Sequence, residues 1–211
     1  MDNLLNSWKW NFDSVGFLGR KGVGKTYLTK QLIGYAQQAK PHAAKPNDIW
    51  ILDAKNQYAN HGYVYEAGIN EYNAEMLDKF LHAVYKEHDK LAVTDDLDLF
   101  IKAQRESDYL ANFLINAGSG RHIGLLWQSK RLANLDTRLL TESHYIIVGH
   151  GCHPNDWPKL EQAGFDTPLY RREIYGKDEH EQKIEGFVLD EHKYIQLNTF
   201  THENTVIKGF A

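Results

Sequence analysis

With 211 residues, 42% of them hydrophobic and 25% charged, the chain suits one α/β domain with a full core. A net charge of −4 excludes a globally basic surface, so any nucleic-acid contact needs a local patch or a ring of subunits. The single cysteine, Cys152, excludes an intrachain disulfide framework. No apolar run approaches the ~20 residues of a membrane helix, and the start MDNLLNSWKWNFDS reads as no secretory signal.

In chain order, SVGFL (14–18) predicts a buried strand that feeds a glycine-rich stretch. TYLTKQLIGYAQQAK then predicts a helix, with Leu28, Leu32, Ile33 and Ala36 at helical spacing. PHAAKPND, with two prolines, reads as a loop, and IWIL (49–52) as a second strand. AEMLDKFLHAVYKEHD places Leu77, Phe80, Leu81 and Val84 on one helical face. LAVT (91–94) is a third strand. SDYLANFLINAG is a helix that turns Leu110, Phe113 and Leu114 inward, with Gly118 near its stop. IGLLW (123–127) and YIIV (145–148) complete a set of five strands. Short apolar strands alternating with helices indicate a parallel sheet covered on both faces. Beyond Gly149 the pattern weakens into a more polar extension with strand character in EGFVLD and KYIQL. The chain therefore reads as a single domain over 1–211, with a core at 14–149 and an extension at 150–211.

The segment GFLGRKGVGKTYLTK (16–30) follows G-x-x-x-x-G-K-T, with Gly19, Gly24, Lys25 and Thr26 at the fixed positions. Glycines let backbone N–H groups turn toward phosphates, and the following helix points its positive end at the same anion. Gly19, Arg20, Lys21, Gly22, Val23, Gly24, Lys25, Thr26 and Tyr27 are thus the candidate nucleotide-binding residues. Lys25 can reach the β- and γ-phosphates, and the Thr26 hydroxyl can ligate Mg²⁺. Such a site needs an acid at a neighbouring strand tip. KLAVTDDLDLF supplies Asp95, assigned to the metal, and Asp96, assigned to orienting or deprotonating a water. Asp98 reads as a solvated charge.

Further on, GSGRHIGLLWQSKR places Arg121 before a strand, Gln128 at that strand's end, and Lys130 and Arg131 after it. IWILDAKNQY carries Asp53, Lys55 and Tyr58 as D-x-K-x-x-Y, which a strand end running into a polar turn could equally produce. The ordered set resembles the FtsK/HerA superfamily of DNA-pumping ATPases over 14–149. The compact size is most similar to the genome-packaging ATPases of double-stranded DNA viruses with internal membranes and jelly-roll capsids. The resemblance implies a RecA-like P-loop NTPase fold of the ASCE type, with a mainly parallel sheet in strand order 5-1-4-3-2 flanked by helices. It implies ATP as substrate, Mg²⁺ as cofactor, and Lys25, Asp96, Gln128 and Arg121 as catalytic residues, with Arg121 reaching a neighbouring subunit's γ-phosphate. Double-stranded DNA, capsid or portal-vertex proteins and a homo-oligomeric ring, a hexamer, are the implied partners, with no stable membrane insertion. The implied location is the host cytoplasm or the packaging vertex of the virion. Two departures stand out: Asp–Asp where the family has Asp–Glu, and Ser129–Lys130–Arg131 after the glutamine rather than Arg–Pro.

Of the remaining features, His144, His150, Cys152, His153 and Asp156 match no usual zinc spacing and read as a polar turn. YRREIYGK (170–177), SKR, Lys102 and Arg105 are basic clusters that could face DNA phosphates or simply be solvated. Trp8, Trp10, Trp50, Trp127 and Trp157 are core or interface anchors. A nucleotide kinase and a non-hydrolysing nucleotide-binding assembly protein remain as other readings.

Overall fold

The computed structural model describes residues 7–65, 73–101, 108–132, 135, 137–177, 180 and 193–208. Five strands occur where the apolar runs predict them: β1 Ser14–Leu18, β2 Ile49–Leu52, β4 Lys90–Thr94, β5 Ile123–Ser129 and β6 Tyr145–Val148. A short β3, Tyr63–Tyr65, and an antiparallel pair, β7 Lys193–Asn198 and β8 Glu203–Lys208, accompany them. The helices are α1 Lys25–Gln38, α2 Ala74–Tyr85, α3 Asp108–Arg121, α4 Arg138–Thr141, α5 Trp157–Gln162 and α6 Thr167–Tyr175.

Among the described residues the strands form one sheet in the order β3-β2-β4-β5-β1-β6-β7-β8, parallel from β3 to β6. Its five central strands follow the expected order, with β5 between β1 and β4. β3 adds one parallel edge, and β7 joins β6 antiparallel at the other, with Val148 opposite Ile195. β7 falls on the expected KYIQL stretch, whereas β3 follows from none of the apolar runs.

Alternation along the strands divides the core in two. Val15, Phe17, Ile51, Val93 and Leu126 face Leu28, Leu32 and Ile33 of α1. Leu18, Leu52, Ala92, Leu125 and Trp127 face Leu77, Phe80 and Leu81 of α2 and Phe113 of α3. Strands covered on both faces have no polar side to present, which is why their sequences are continuous apolar runs. Trp8 and Trp10 are buried on the α1 side of this same chain, and Trp10 Nε1 donates to the His42 carbonyl at 2.7 Å.

Helix α3 runs past Gly118, the expected stop, to Arg121. Gly118 is there for contact: a Cβ at that position would lie 2.7 Å from the Phe12 carbonyl oxygen. The chain turns instead at His122, whose φ is 55°. Lys102, Arg105 and EGFVLD lie outside the described residues.

Candidate nucleotide site

Because β1, β2, β4, β5 and β6 are parallel, their C-terminal tips share one edge, where α/β sheets hold ligands. The loop 19–24 leaves β1 there and enters α1. Gly19 and Gly24 have φ of 145° and 86°, conformations that side chains resist. Gly24 caps α1 without a side-chain hydrogen bond, so the first-turn N–H groups face outward for an anion. Lys25 is buried, and its Nζ donates to the carbonyls of Gly19 at 2.7 Å and Arg20 at 3.0 Å. Burial, and secondarily Lys130, lower its pKa to about 8. Arg20, Lys21 and Tyr27 are exposed; Val23 is buried.

A cleft of about 410 Å³ opens over this loop. Lys21, Gly22, Gly24, Lys25 and Thr26 form one wall; Lys55, Gln57, Asp96, Gln128 and Lys130 form the other. The second wall comes from the tips of β2, β4 and β5, so the D-x-K-x-x-Y turn, the acid pair and the glutamine converge. Thr26 Oγ1 donates to Gln57 Oε1 at 3.3 Å.

Asp53 organises the β2 turn. Its carboxylate accepts the backbone N–H of Lys55 at 3.1 Å and of Tyr58 at 2.8 Å. The folded turn sends Lys55 to an ion pair with Asp96, and Tyr58 into the core beneath the cleft. There Gln128 Nε2 donates to the Tyr58 hydroxyl at 2.5 Å and to Thr29 Oγ1 at 3.0 Å. The motif is therefore more than a polar turn: it ties β2 to the glutamine of β5.

The two acids differ in surroundings. Asp96 lines the cleft, has a left-handed φ of 44°, and its Oδ2 is paired with both Lys55 and Lys130, the latter at 2.9 Å. Asp95 is 1% exposed, and neither of its oxygens has a hydrogen-bond partner among the described residues. Burial raises its pKa, against the opposing pull of Lys55. A buried carboxylate without a hydrogen-bond partner among the described residues is a hard oxygen donor of the kind Mg²⁺ takes.

Asp98 is no solvated charge. It accepts from Ser129 Oγ at 2.7 Å and from the Lys130 N–H at 2.6 Å, which fixes the turn after β5 and presents Lys130 to the cleft. The role of Lys130 was hidden because a Lys–Arg pair after a strand looks like solvated surface. Tyr194 of β7 was missed altogether; its hydroxyl donates to the Val23 carbonyl at 2.5 Å, bracing the phosphate loop from the extension.

Arg121 does not join the cleft. It sits ahead of β5, whose run from Ile123 to Gln128 alone spans roughly 16 Å at about 3.3 Å per residue. Its Nη1 lies 3.1 Å from His88 Nε2, and its guanidinium is 5.2 Å from the Tyr85 ring centre. Of the Cys/His group, Cys152 is buried, His150 stacks near Tyr175 at 4.8 Å, and His153 Nδ1 accepts the Asn155 N–H at 3.2 Å.

Sheet order and cleft together define a RecA-like P-loop NTPase fold. No protein-family model matches the chain, and no curated protein matches it in sequence. Among solved structures it is similar to the genome packaging NTPase B204 of Sulfolobus turreted icosahedral virus 2 in complex with ATP-gammaS. That likeness has 17% identity and a TM-score of 0.68, over 95% of this chain and 99% of that one. The DNA-packaging ATPase B204 of Sulfolobus turreted icosahedral virus gives 17% and 0.68, over 94% and 98%. A further solved ATPase gives 10% and 0.57, over 94% and 79%. The likeness is one of fold, running nearly end to end in both B204 chains. No helix among the described residues is long and apolar enough to cross a membrane.

Proposed function

We propose that the chain is a Mg²⁺-dependent ATPase that drives double-stranded DNA into a preformed viral capsid, acting as a homo-oligomeric ring at the packaging vertex or in the host cytoplasm. The observation that carries hydrolysis is the convergence of Lys25, Asp96 and Gln128 on one cleft, with Asp95 buried at the same strand tip. The end-to-end fold likeness to B204 supports packaging as the work done. On this reading 1–211 is one ATPase domain, with core 14–149 and extension 150–211.

Loop 19–24 and the α1 N-terminus bind the phosphates by backbone donors, and Lys25 exchanges its carbonyl partners for phosphate oxygens. Thr26 and Asp95 would hold Mg²⁺, which when bound supplies charge neutralisation at the phosphates. Asp96 orients the attacking water, and Gln128, anchored through Tyr58 and Thr29, senses it. Arg121 is too far from its own cleft to act there and serves the neighbouring subunit's. The placement of β5 between β1 and β4 speaks against a nucleotide kinase.

The pairing of Asp96 with two lysines favours a second reading, a nucleotide-binding assembly protein that does not hydrolyse. Phosphate release from ATP with and without double-stranded DNA separates the two. Packaging requires DNA-stimulated release that Lys25→Ala lowers on the order of 10²-fold or more; no release above background, with ATP bound, would establish the second reading.

A further inference from the structure

Tyr58 leaves the turn after β2 and reaches Gln128 on β5, although β4 lies between those strands in the sheet. Both of its ends are held. Its backbone N–H donates to the Asp53 carboxylate at 2.8 Å, and its hydroxyl accepts from Gln128 Nε2 at 2.5 Å. Between these anchors the ring is fully buried on the α1 face of the sheet, in the same cluster as Leu28 and Val93. The Lys30 ammonium lies 5.6 Å from its centre.

Counting hydrogens gives the amide a polarity. A glutamine side chain has two N–H donors and one carbonyl acceptor. Gln128 spends one donor on the Tyr58 hydroxyl and the other on Thr29 Oγ1 at 3.0 Å, and both of those residues are fully buried. What the amide has left for the cleft it lines is Oε1. A carbonyl accepts a hydrogen from water and has none to give a phosphate oxygen. The Tyr58 hydroxyl has its own proton to place. Burial and the Asp95 charge favour its neutral form, and the Thr29 and Thr26 hydroxyls act on the same oxygen. Thr29 Oγ1 already accepts from Gln128, which leaves Thr26 to take the phenolic proton.

We propose that Tyr58 is a positioning residue for hydrolysis: its hydroxyl fixes the Gln128 amide with the carbonyl toward the attacking water, and joins that amide to Thr26 of the phosphate loop. The inference rests on the ATPase reading of the cleft. A water that donates one O–H to Gln128 Oε1 and the other to Asp96 keeps a lone pair for the terminal phosphorus. A flipped amide would offer the water an N–H instead and hold it the wrong way round. Because Tyr58 and Thr29 set the polarity before nucleotide arrives, no reorganisation is needed at the moment of reaction.

The test is Tyr58→Phe, which removes only the hydroxyl, beside Thr29→Val, which removes the other acceptor. Each should keep Mg·ATP affinity within ~3-fold of wild type and slow single-turnover phosphate release ~10–100-fold. Tyr58→Phe combined with Gln128→Ala should be no slower than Gln128→Ala alone, since Tyr58 acts through that amide. In the nucleotide-free chain the Gln128 side-chain amide protons, identified in NMR spectra by their absence from Gln128→Ala, should exchange with solvent ~10-fold faster in Tyr58→Phe. Wild-type release rates in both variants, unchanged amide exchange, a loss of Mg·ATP affinity as large as the loss of rate, or a double variant slower by the product of the two effects would overturn the positioning role alone. If Tyr58→Phe does not fold, Thr29→Val decides by the same readings. A wild-type chain that binds Mg·ATP and releases no phosphate would overturn the ATPase reading, and this inference with it.

Discussion

Lys130 closes on Asp96, its ammonium 2.9 Å from Oδ2. The pair joins the turn after β5 to the tip of β4, and Lys55 reaches the same carboxylate from the β2 turn. A cleft with Lys25, Lys55 and Lys130 around it attracts a polyphosphate, and an incoming phosphate competes with Asp96 for the two lysines that hold it.

The acids should separate by substitution. Asp95→Asn is expected to weaken Mg²⁺-dependent nucleotide binding, and to raise the Tm of the nucleotide-free chain by removing a buried carboxylate without a hydrogen-bond partner. Asp96→Asn is expected to keep binding and slow the chemical step. Titration with Mg·ATP, thermal melts and single-turnover phosphate release check both; normal Mg·ATP binding by both variants, with only Asp95→Asn slow, would mean the roles are exchanged.

Nucleotide binding should take up protons. Lys25 falls from the usual lysine range to about 8 through burial. Between about 8 and 10.5 the unfolded chain binds more protons at this group than the folded one, so the nucleotide-free fold gains stability as pH rises through that window. Phosphate oxygens beside the ammonium raise its pKa again, and binding at pH 8 to 9 therefore draws in a proton and weakens as pH climbs. Calorimetry in buffers of different ionisation enthalpy reads this directly. Binding heats independent of buffer, or a Lys25→Ala variant with the same buffer dependence, would contradict it.

Tyr194→Phe removes one buried hydroxyl and leaves the Val23 carbonyl without that donor. A loss of about 1–3 kcal/mol is expected, or roughly 2–4 °C of Tm for each kcal/mol in a chain of this size. Nucleotide affinity should fall as well, because the loop loses its brace. A melt and a nucleotide titration on the same sample decide; unchanged affinity would reduce Tyr194 to a packing residue.

Arg121→Ala should bind ATP normally yet lose DNA-stimulated turnover by a factor on the order of 10³. Mixing it with Lys25→Ala should restore part of the activity, since some interfaces then pair an intact loop with an intact arginine. Undiminished turnover would rule the arginine out, and absent rescue despite co-assembly would contradict its action across the subunit interface. The partners it has here, the exposed His88 and the half-buried Tyr85 ring, are weak enough to exchange.

The central sheet and the phosphate loop were legible because both obey local rules. Buried parallel strands must be apolar throughout, and a loop that wraps phosphate must place glycines where φ is positive. The position of β5 came with the resemblance rather than from the pattern. What escaped depended on partners far apart in sequence. Asp98 looks solvated until Ser129 and the Lys130 N–H are set beside it. Gly118 looks like a stop until the Phe12 carbonyl passes over it. β3 is only three residues long and partly exposed, and has no pattern to find. Tyr58 and Gln128, though both singled out, gave no sign in sequence that they would meet.

The contact of Tyr194 with Val23 spans 171 positions, so the phosphate loop is made long before its brace. During synthesis the loop emerges early, and its glycines can sample many shapes while β6 still lacks β7 beside it. Only after residue 194 has left the ribosome can the loop be held from behind. A chain that ends before residue 194 should therefore bind nucleotide poorly, and the order of translation itself delays the nucleotide site until its sheet is closed.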